Sequence, residues 1–380
     1  MKKIIRTSTV PTSLNTFCEG LFKELSLEYE IVAVSSPGKD LDIIANRENV
    51  RTIAVSMKRH ISVLKDFVSL IKLIYIFYRE KPAMVHSMTP KAGLLSMVAA
   101  RITRVPVRVH TFTGLVFPTS TGLKQRLLML TDSITCRCAS NIIAEGLGVR
   151  NDLINYNITK KQIRVLGYGN VRGIDLKHYN RTPNVIKDAE DIRRELDIHD
   201  SSFTFIFVGR LVRDKGIDEL VDAFCILNEQ YNDIHLILVG EEEKELDPIS
   251  DSVRHKIESV KNIHAVGRKE DVRPWYAASN ALVFPSHREG FPNVVIEAGA
   301  MGLPSIVTDI NGSREIVKDG VNGIIIEPQN VKALHNAMKA FLENKDLTEK
   351  LASKARELIA TRFEQGYVRK CLKDFYREII

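Results

Sequence analysis

Short runs of Val, Ile and Leu alternate along this chain with stretches whose apolar residues recur at helical spacing. In the first half the runs fall at 30–34, 84–86, 107–111, 141–144 and 163–165, separated by helical patterns at 15–25, 63–79, 89–102 and 123–138. In the second half they fall at 203–208, 234–239, 263–265, 281–284, 304–307 and 323–326, with helical patterns at 217–230, 251–260, 272–279, 294–301, 331–343 and 347–362. Apolar strands alternating with amphipathic helices predict βα units around parallel sheets covered on both faces. The expected fold class is therefore α/β: two Rossmann-like, doubly wound parallel-sheet domains facing a cleft. The stretch 167–200, with Gly167, Gly169, Gly173 and Pro183, is the expected connection between them. Ligands of such sheets bind beyond the carboxyl ends of the strands, so the loops there are where chemistry is sought.

With 380 residues, 44% of them hydrophobic and 27% charged, the chain is long enough for two cores that need neither disulfides nor metals, and its composition excludes a disordered or fibrous protein. The five cysteines are scattered without a CxxC pair and read as reduced, intracellular thiols. The first six residues lack the apolar core of a signal peptide, and the most apolar stretch, 63–78, is interrupted by Lys65, Asp66 and Lys72, so neither export nor a membrane span is expected.

The net charge of +7 is unevenly spread. Residues 1–170 hold 24 basic against 12 acidic side chains, whereas 171–380 hold 30 against 35. Within the first half, 58–108 carries ten cations, Arg59 among them, against Asp66 and Glu80. An anionic membrane, a nucleic acid or simple solvation of a basic face would each account for that cluster.

Two constellations carry chemistry. The first runs from the apolar segment 203–208 through Gly209, Arg210, Arg213, Lys215 and Gly216 into a helical pattern. A glycine turn, two cations and a helix N-terminus together make a diphosphate site, or else an exposed βα loop. The second places Glu289 in a Gly/Pro loop and Glu297 eight residues later inside a helix. Carboxylates at a strand mouth accept hydrogen bonds from a polyol such as a ribose or hexose, unless Glu297 merely complements a helix dipole.

These motifs, with 278–286, Ala298, Gly302-Leu-Pro304, Gly312 and Asp319 through Gly323, resemble the retaining glycosyltransferases of family 4, which have the GT-B architecture. The resemblance implies transfer of a hexosyl or N-acetylhexosaminyl group, most readily from a UDP-sugar, with the anomeric configuration retained and no covalent enzyme intermediate. It implies that Arg210 and Lys215 hold the donor diphosphate, with Gly209 turning the chain beneath it. Glu289 and the backbone of Gly290 and Phe291 then hold the donor sugar, Glu297 the ribose hydroxyls, and His110, at a strand end, lies near the donor sugar. Thr89, Pro90 and Lys91 resemble the acceptor side of members acting on polyprenyl diphosphate-linked sugars in capsule, O-antigen or glycan assembly. Domain boundaries are expected at 1–175 and 176–362, and by the same resemblance 363–380 forms a helix crossing back to the first domain. The expected setting is cytoplasmic, peripheral on the inner face of the cytoplasmic membrane. The chain departs from the family in its first βα loop, where a Gly-Gly pair is common and Val10-Pro-Thr-Ser13 stands here.

No cofactor or metal is expected. Asp40-Leu-Asp42, the one Asp-x-Asp, follows Pro37-Gly38 in an expected loop away from the donor motifs, and neither His86 nor His110 has partners at ligand spacing. Two other functions remain as alternatives: a nucleotide-sugar epimerase on the same architecture, and a basic nucleic-acid-binding protein, although the latter lacks a reading helix or aromatic platform. The helical pattern 63–78 is either an interfacial helix or a packed one.

Overall fold

A computed structural model describes residues 1–58, 62–243, 245 and 247–380, so Arg59 of the basic cluster lies outside the described residues. The chain divides into two compact units, Met1–Gly173 with Gln365–Ile380, and Ile174–Glu364.

The first unit holds a seven-stranded sheet of β1 (Lys2–Thr7), β2 (Tyr29–Ser35), β3 (Arg51–Ala54), β4 (Met84–Met88), β5 (Val107–Phe112), β6 (Asn141–Ala144) and β7 (Ile163–Arg164), in the order β3-β2-β1-β4-β5-β6-β7. Every pairing is parallel. Alternate residues supply two different cores: Ile5, Val32 and Val85 face one, while Ile4, Ile31 and Met84 face the other. These three strands therefore feed apolar side chains to both sides, as a parallel sheet sandwiched by helices requires. The second unit holds a six-stranded parallel sheet of β8 (Phe203–Val208), β9 (Ile234–Val239), β10 (Ile263–Gly267), β11 (Ala281–Phe284), β12 (Ser305–Thr308) and β13 (Gly323–Ile326), ordered β10-β9-β8-β11-β12-β13. Both sheets reverse strand order once, between β1 and β4 in the first and between β8 and β11 in the second.

Four local readings are corrected. β1 and β3 were not expected, because Lys2, Lys3, Arg6 and Arg51 break their apolar pattern. Arg6 nonetheless lies buried, donating to His86 Nδ1 at 2.9 Å and to the Tyr376 hydroxyl at 2.5 Å. The pattern 15–25 resolves into two helices, Pro11–Phe17 and Leu21–Leu25. Asp40 and Asp42 sit in the first turn of helix Lys39–Glu48, where carboxylates oppose the positive dipole end, and not in a loop. Lastly, 167–200 is not all connection: Thr182 accepts from Val185 N and caps a helix at Pro183–Glu195.

The last helix, Gln365–Ile379, belongs to the first unit and places Phe375 and Tyr376 in its core. His86 accepts at Nδ1 from Arg6 and from Tyr376 (2.6 Å), so its Nε2 carries the proton and donates to Thr111 Oγ1 at 2.7 Å. Burial, with the neighbouring Arg6 charge, holds the His86 pKa well below its ordinary value, which keeps the ring neutral.

Candidate active site

The cationic loop after β8 and the loop after β11 emerge on either side of the strand-order reversal in the second sheet. Helices leave the sheet on opposite faces there, so nothing crosses the carboxyl ends of the two strands and a ligand can settle against them. Gly209 closes β8, and Arg213–Lys215 form one 3-10 turn before helix Ile217–Asn228. Its N-cap, Gly216, has φ +72°, and a Cβ there would stand 2.2 Å from the carbonyl oxygen of Pro285. Glycine at this position lets the two loops touch backbone to backbone.

Ion pairs then fasten one loop to the other. Lys215 Nζ pairs with Glu289, whose Oε1 also accepts from Ser286 Oγ at 3.0 Å, and the ammonium lies 5.6 Å from the Phe284 ring centroid. Arg288 donates to Asp214 at 2.9 Å, and His287 Nε2 meets Glu219 Oε1 at 2.8 Å. The hydrogen bond to Glu219 raises the His287 pKa against the opposing effect of burial. Burial pushes Glu219 up, but the bonds from His287 and from its own backbone amide outweigh it, and the carboxyl sits below its ordinary value. Arg210 is mostly exposed and pairs with Glu243.

Glu297 is the fifth residue of helix Asn293–Ala300 and only 7% exposed. The buried Tyr276 hydroxyl donates to its Oε2 at 3.4 Å, which fixes the carboxylate from beneath. The Phe291 side chain is buried edge-on against Phe363, with ring centroids 5.5 Å apart, so that what Phe291 and Gly290 offer a ligand is backbone. The second unit thus gathers Gly209, Arg210, Lys215, Glu289, Gly290, Phe291 and Glu297 beyond the carboxyl ends of its two central strands. Asp214, Glu219, Ser286, His287, Arg288 and Tyr276 complete the set. Sequence reasoning missed them because each has a partner 21 to 74 positions away, Ser286 through a bond to the Asp214 carbonyl besides the one to Glu289.

The remaining expected site residues lie in the first unit. His110 is not at a strand end as expected but inside β5, two residues before its last, and 1% exposed, with its Nδ1 2.8 Å from Ser87 Oγ and its ring edge-on to Phe112. The imidazole rests against Gly93, where a Cβ would come within 2.3 Å of Cε1. Burial pushes its pKa down to about 3, so it acts as a neutral ring. Thr89 has φ +69° and caps helix Pro90–Ile102, with Oγ1 2.8 Å from Thr9 Oγ1, which in turn accepts from Ala92 N at 3.1 Å. Lys91 donates to both oxygens of Asp66, at 2.8 and 2.9 Å, so its charge is engaged within the fold. The loop at 117–122 is anchored by a fully buried Phe117. Among the described residues no group of three or more His, Cys, Asp and Glu side chains is placed to hold a metal ion.

Comparison with known proteins bears on this arrangement. Residues 188–358 match the family model for glycosyl transferases group 1, and residues 15–169 match that for a glycosyl transferase 4-like domain. Over 352 residues the chain is 32% identical to the capsular polysaccharide biosynthesis glycosyltransferase CapM of Staphylococcus aureus, covering 92% of this chain and 90% of that one. It is 27% identical over 338 residues to the UDP-Gal:alpha-D-GlcNAc-diphosphoundecaprenol alpha-1,3-galactosyltransferase of Escherichia coli, covering 88% and 85% respectively. Among solved structures, Anabaena HepE in complex with UDP has a TM-score of 0.82 at 19% identity over the whole of both chains.

Proposed function

Because this chain belongs to the group 1 glycosyltransferases and is built on the GT-B architecture, we propose that it moves a hexosyl or N-acetylhexosaminyl group from a nucleotide diphosphate sugar to a saccharide carried on polyprenyl diphosphate, with retention at the anomeric carbon. The observation that carries this reading is the charge arrangement at the β8/β11 reversal, where Lys215 and Glu289 neutralise one another beside the exposed Arg210. A donor has the two chemistries needed to part that pair. Its diphosphate takes the Lys215 ammonium and the Arg210 guanidinium, and its sugar hydroxyls donate to the freed Glu289 carboxylate. The ribose hydroxyls donate to Glu297, held by Tyr276. As the glycosidic bond breaks, negative charge grows on the departing diphosphate, and cations already in place stabilise it without solvent reorganisation. The acceptor hydroxyl attacks the same face the diphosphate leaves, and its proton passes to the leaving phosphate oxygen. His110 of the first unit, which the family resemblance assigns to the donor-sugar side, is neutral in its burial and would offer a ring dipole and not a charge.

UDP is the expected nucleotide: the E. coli relative is described as using UDP-Gal, and HepE was solved with UDP. The E. coli relative's acceptor, a sugar on diphosphoundecaprenol, supports a lipid-linked acceptor in capsule or related glycan assembly. Action at the inner face of the cytoplasmic membrane follows from such an acceptor. Two side-chain cations serve the diphosphate in place of a metal, and no nucleic acid takes part. Calorimetry with UDP-, GDP- and ADP-sugars in EDTA tests the reading. Binding of one nucleotide class that is lost in Arg210→Ala and Lys215→Ala supports it, and donor binding that appears only with added Mg²⁺ or Mn²⁺ removes metal independence. A product that forms equally with and without acceptor would identify an epimerase instead.

A further inference from the structure

The donor and acceptor chemistry leaves one large feature of the first unit unexplained, the helix Val63–Glu80. Its inner side is an ordinary packing surface, with Leu73 and Phe77 buried in the core and Ser69 Oγ bonded to Ser56 O at 2.6 Å. Its outer side is not polar. Leu64, Phe67, Val68, Ile71, Tyr75 and Tyr78 are between 50% and 83% exposed. At about 100° per residue they fill one continuous sector of the helix. Lys65, Lys72 and Arg79 recur every seven residues and form a row along one margin of that sector. Among the described residues no carboxylate stands within ion-pair distance of those three cations. The nearest acids in sequence are engaged elsewhere, Asp66 with Lys91 and Glu80 with Lys3 and Arg51. Helix Gly122–Cys138, which also packs on helix Pro90–Ile102, has an exposed row of its own, Leu123, Leu127 and Leu130, at 83%, 41% and 55% exposure, with Lys124 and Arg126 between them.

We propose that the outer face of helix Val63–Glu80 is a membrane-docking surface that lies in the headgroup boundary of an anionic phospholipid bilayer. Its apolar sector enters the acyl margin, and the row of Lys65, Lys72 and Arg79 meets lipid phosphates. The charge pattern selects this occupant. A bilayer offers negative charge along any line, which suits a straight row of unpaired cations on flexible stems, and tyrosines beside aliphatic side chains are the composition of an interface. No helix of the described residues is long and apolar enough to cross a membrane, so the face lies on the bilayer and does not span it. Its purpose rests on the reading above, in that docking brings the enzyme to an acceptor that cannot leave the membrane. The surface itself is argued from exposure and charge.

Co-sedimentation of the full chain with vesicles of phosphatidylcholine containing 30 mol% phosphatidylglycerol, without substrates, tests the proposal. Partition at least tenfold stronger than to pure phosphatidylcholine is expected, falling at least tenfold both in Leu64→Gln/Phe67→Gln/Ile71→Gln and in Lys65→Gln/Lys72→Gln/Arg79→Gln. All six sites are exposed, and unchanged melting confirms that the variants fold. In a Phe67→Trp variant, indole emission shifts to the blue when the anionic vesicles are added. Wild-type chain that stays in the supernatant, or an apolar triple variant that partitions like wild type, overturns the proposal. So does a dimer in solution that the apolar variant converts to monomer, because a second copy then covers the face. Transfer to a short-chain, water-soluble acceptor in the absence of vesicles reports on the glycosyl-transfer reading separately. The docking variants retain it, and its absence in the wild type would remove that reading while vesicle partition still decides the docking face.

Discussion

The same topological position occurs twice in this protein and is furnished in opposite ways. At the β1/β4 reversal of the first sheet, Thr9 and Thr89 join hydroxyl to hydroxyl beneath a helix N-terminus, and the buried histidines of the neighbouring strands, His86 and His110, are held neutral by burial. At the β8/β11 reversal of the second sheet, Lys215, Arg288 and His287 meet Glu289, Asp214 and Glu219. Topology supplies a vacant strand mouth in both cases; side chains decide whether it is closed by neutral hydrogen bonds or kept charged. Neutral bonds are worth about 1 kcal/mol and keep a backbone junction in order, whereas part-buried ion pairs hold charge that an anionic ligand can take over.

Substitutions separate the two mouths. Lys215→Ala should have the largest effect, lowering turnover roughly 10²- to 10³-fold with little change in melting temperature, measured with the donor found by calorimetry. A variant with near wild-type turnover would remove the second mouth from the chemistry. Glu289→Gln keeps the size of the side chain but removes its charge. It should weaken use of the donor sugar by roughly tenfold or more in kcat/KM, while UDP alone binds at least as well because Lys215 is released.

The buried neutral groups give the first unit its own pH response. Burial pushes Asp132 up to about 7, so the unfolded chain ionises from about 3.8 while the folded one keeps its proton, and stability is lost as pH rises between those values. Asp132→Asn should therefore raise stability at pH 8 by on the order of 2–4 kcal/mol in urea unfolding. His110 works in the reverse sense: the unfolded ring takes up a proton below about 6.5 and the folded one not until about 3, so acid destabilises this unit. In His287→Gln the loop pairing is weakened but not removed, for a two- to fivefold rise in donor KM. Because the folded pKa of His287 is raised, its pairing is complete at acidic pH and fades as pH rises past the usual histidine range. The wild-type donor KM should then climb on the alkaline side, and the variant's should not. Thr9→Val marks the smallest effect, about 1 kcal/mol of stability with donor affinity untouched.

Much of this was readable along the chain. The strands at 203–208 and 234–239 emerge where apolar runs place them, since a strand buried on both faces is apolar at nearly every position, Thr204 and His235 being the exceptions. The glycine turn, its cations and the two glutamates were legible because they are close in sequence and chemically distinctive. β1 was not, because its Arg6 is accommodated by His86 and by Tyr376, which lies 370 residues away. Nor was the role of Lys91 as the partner of Asp66, for a lysine in a basic stretch looks free until the fold brings a carboxylate to it.

The sequence by itself determined the α/β rhythm, the two-unit plan and the short motifs of the donor loops, since periodicity, glycine turns and helix starts are properties of neighbouring residues. Only the tertiary structure decided which charges are neutralised and which are offered. It closed Thr89 onto Thr9, set Lys215 against Glu289, and left the apolar side of Val63–Glu80 uncovered. Burial and pairing depend on residues brought together from distant parts of the chain, and a local pattern carries no record of that encounter.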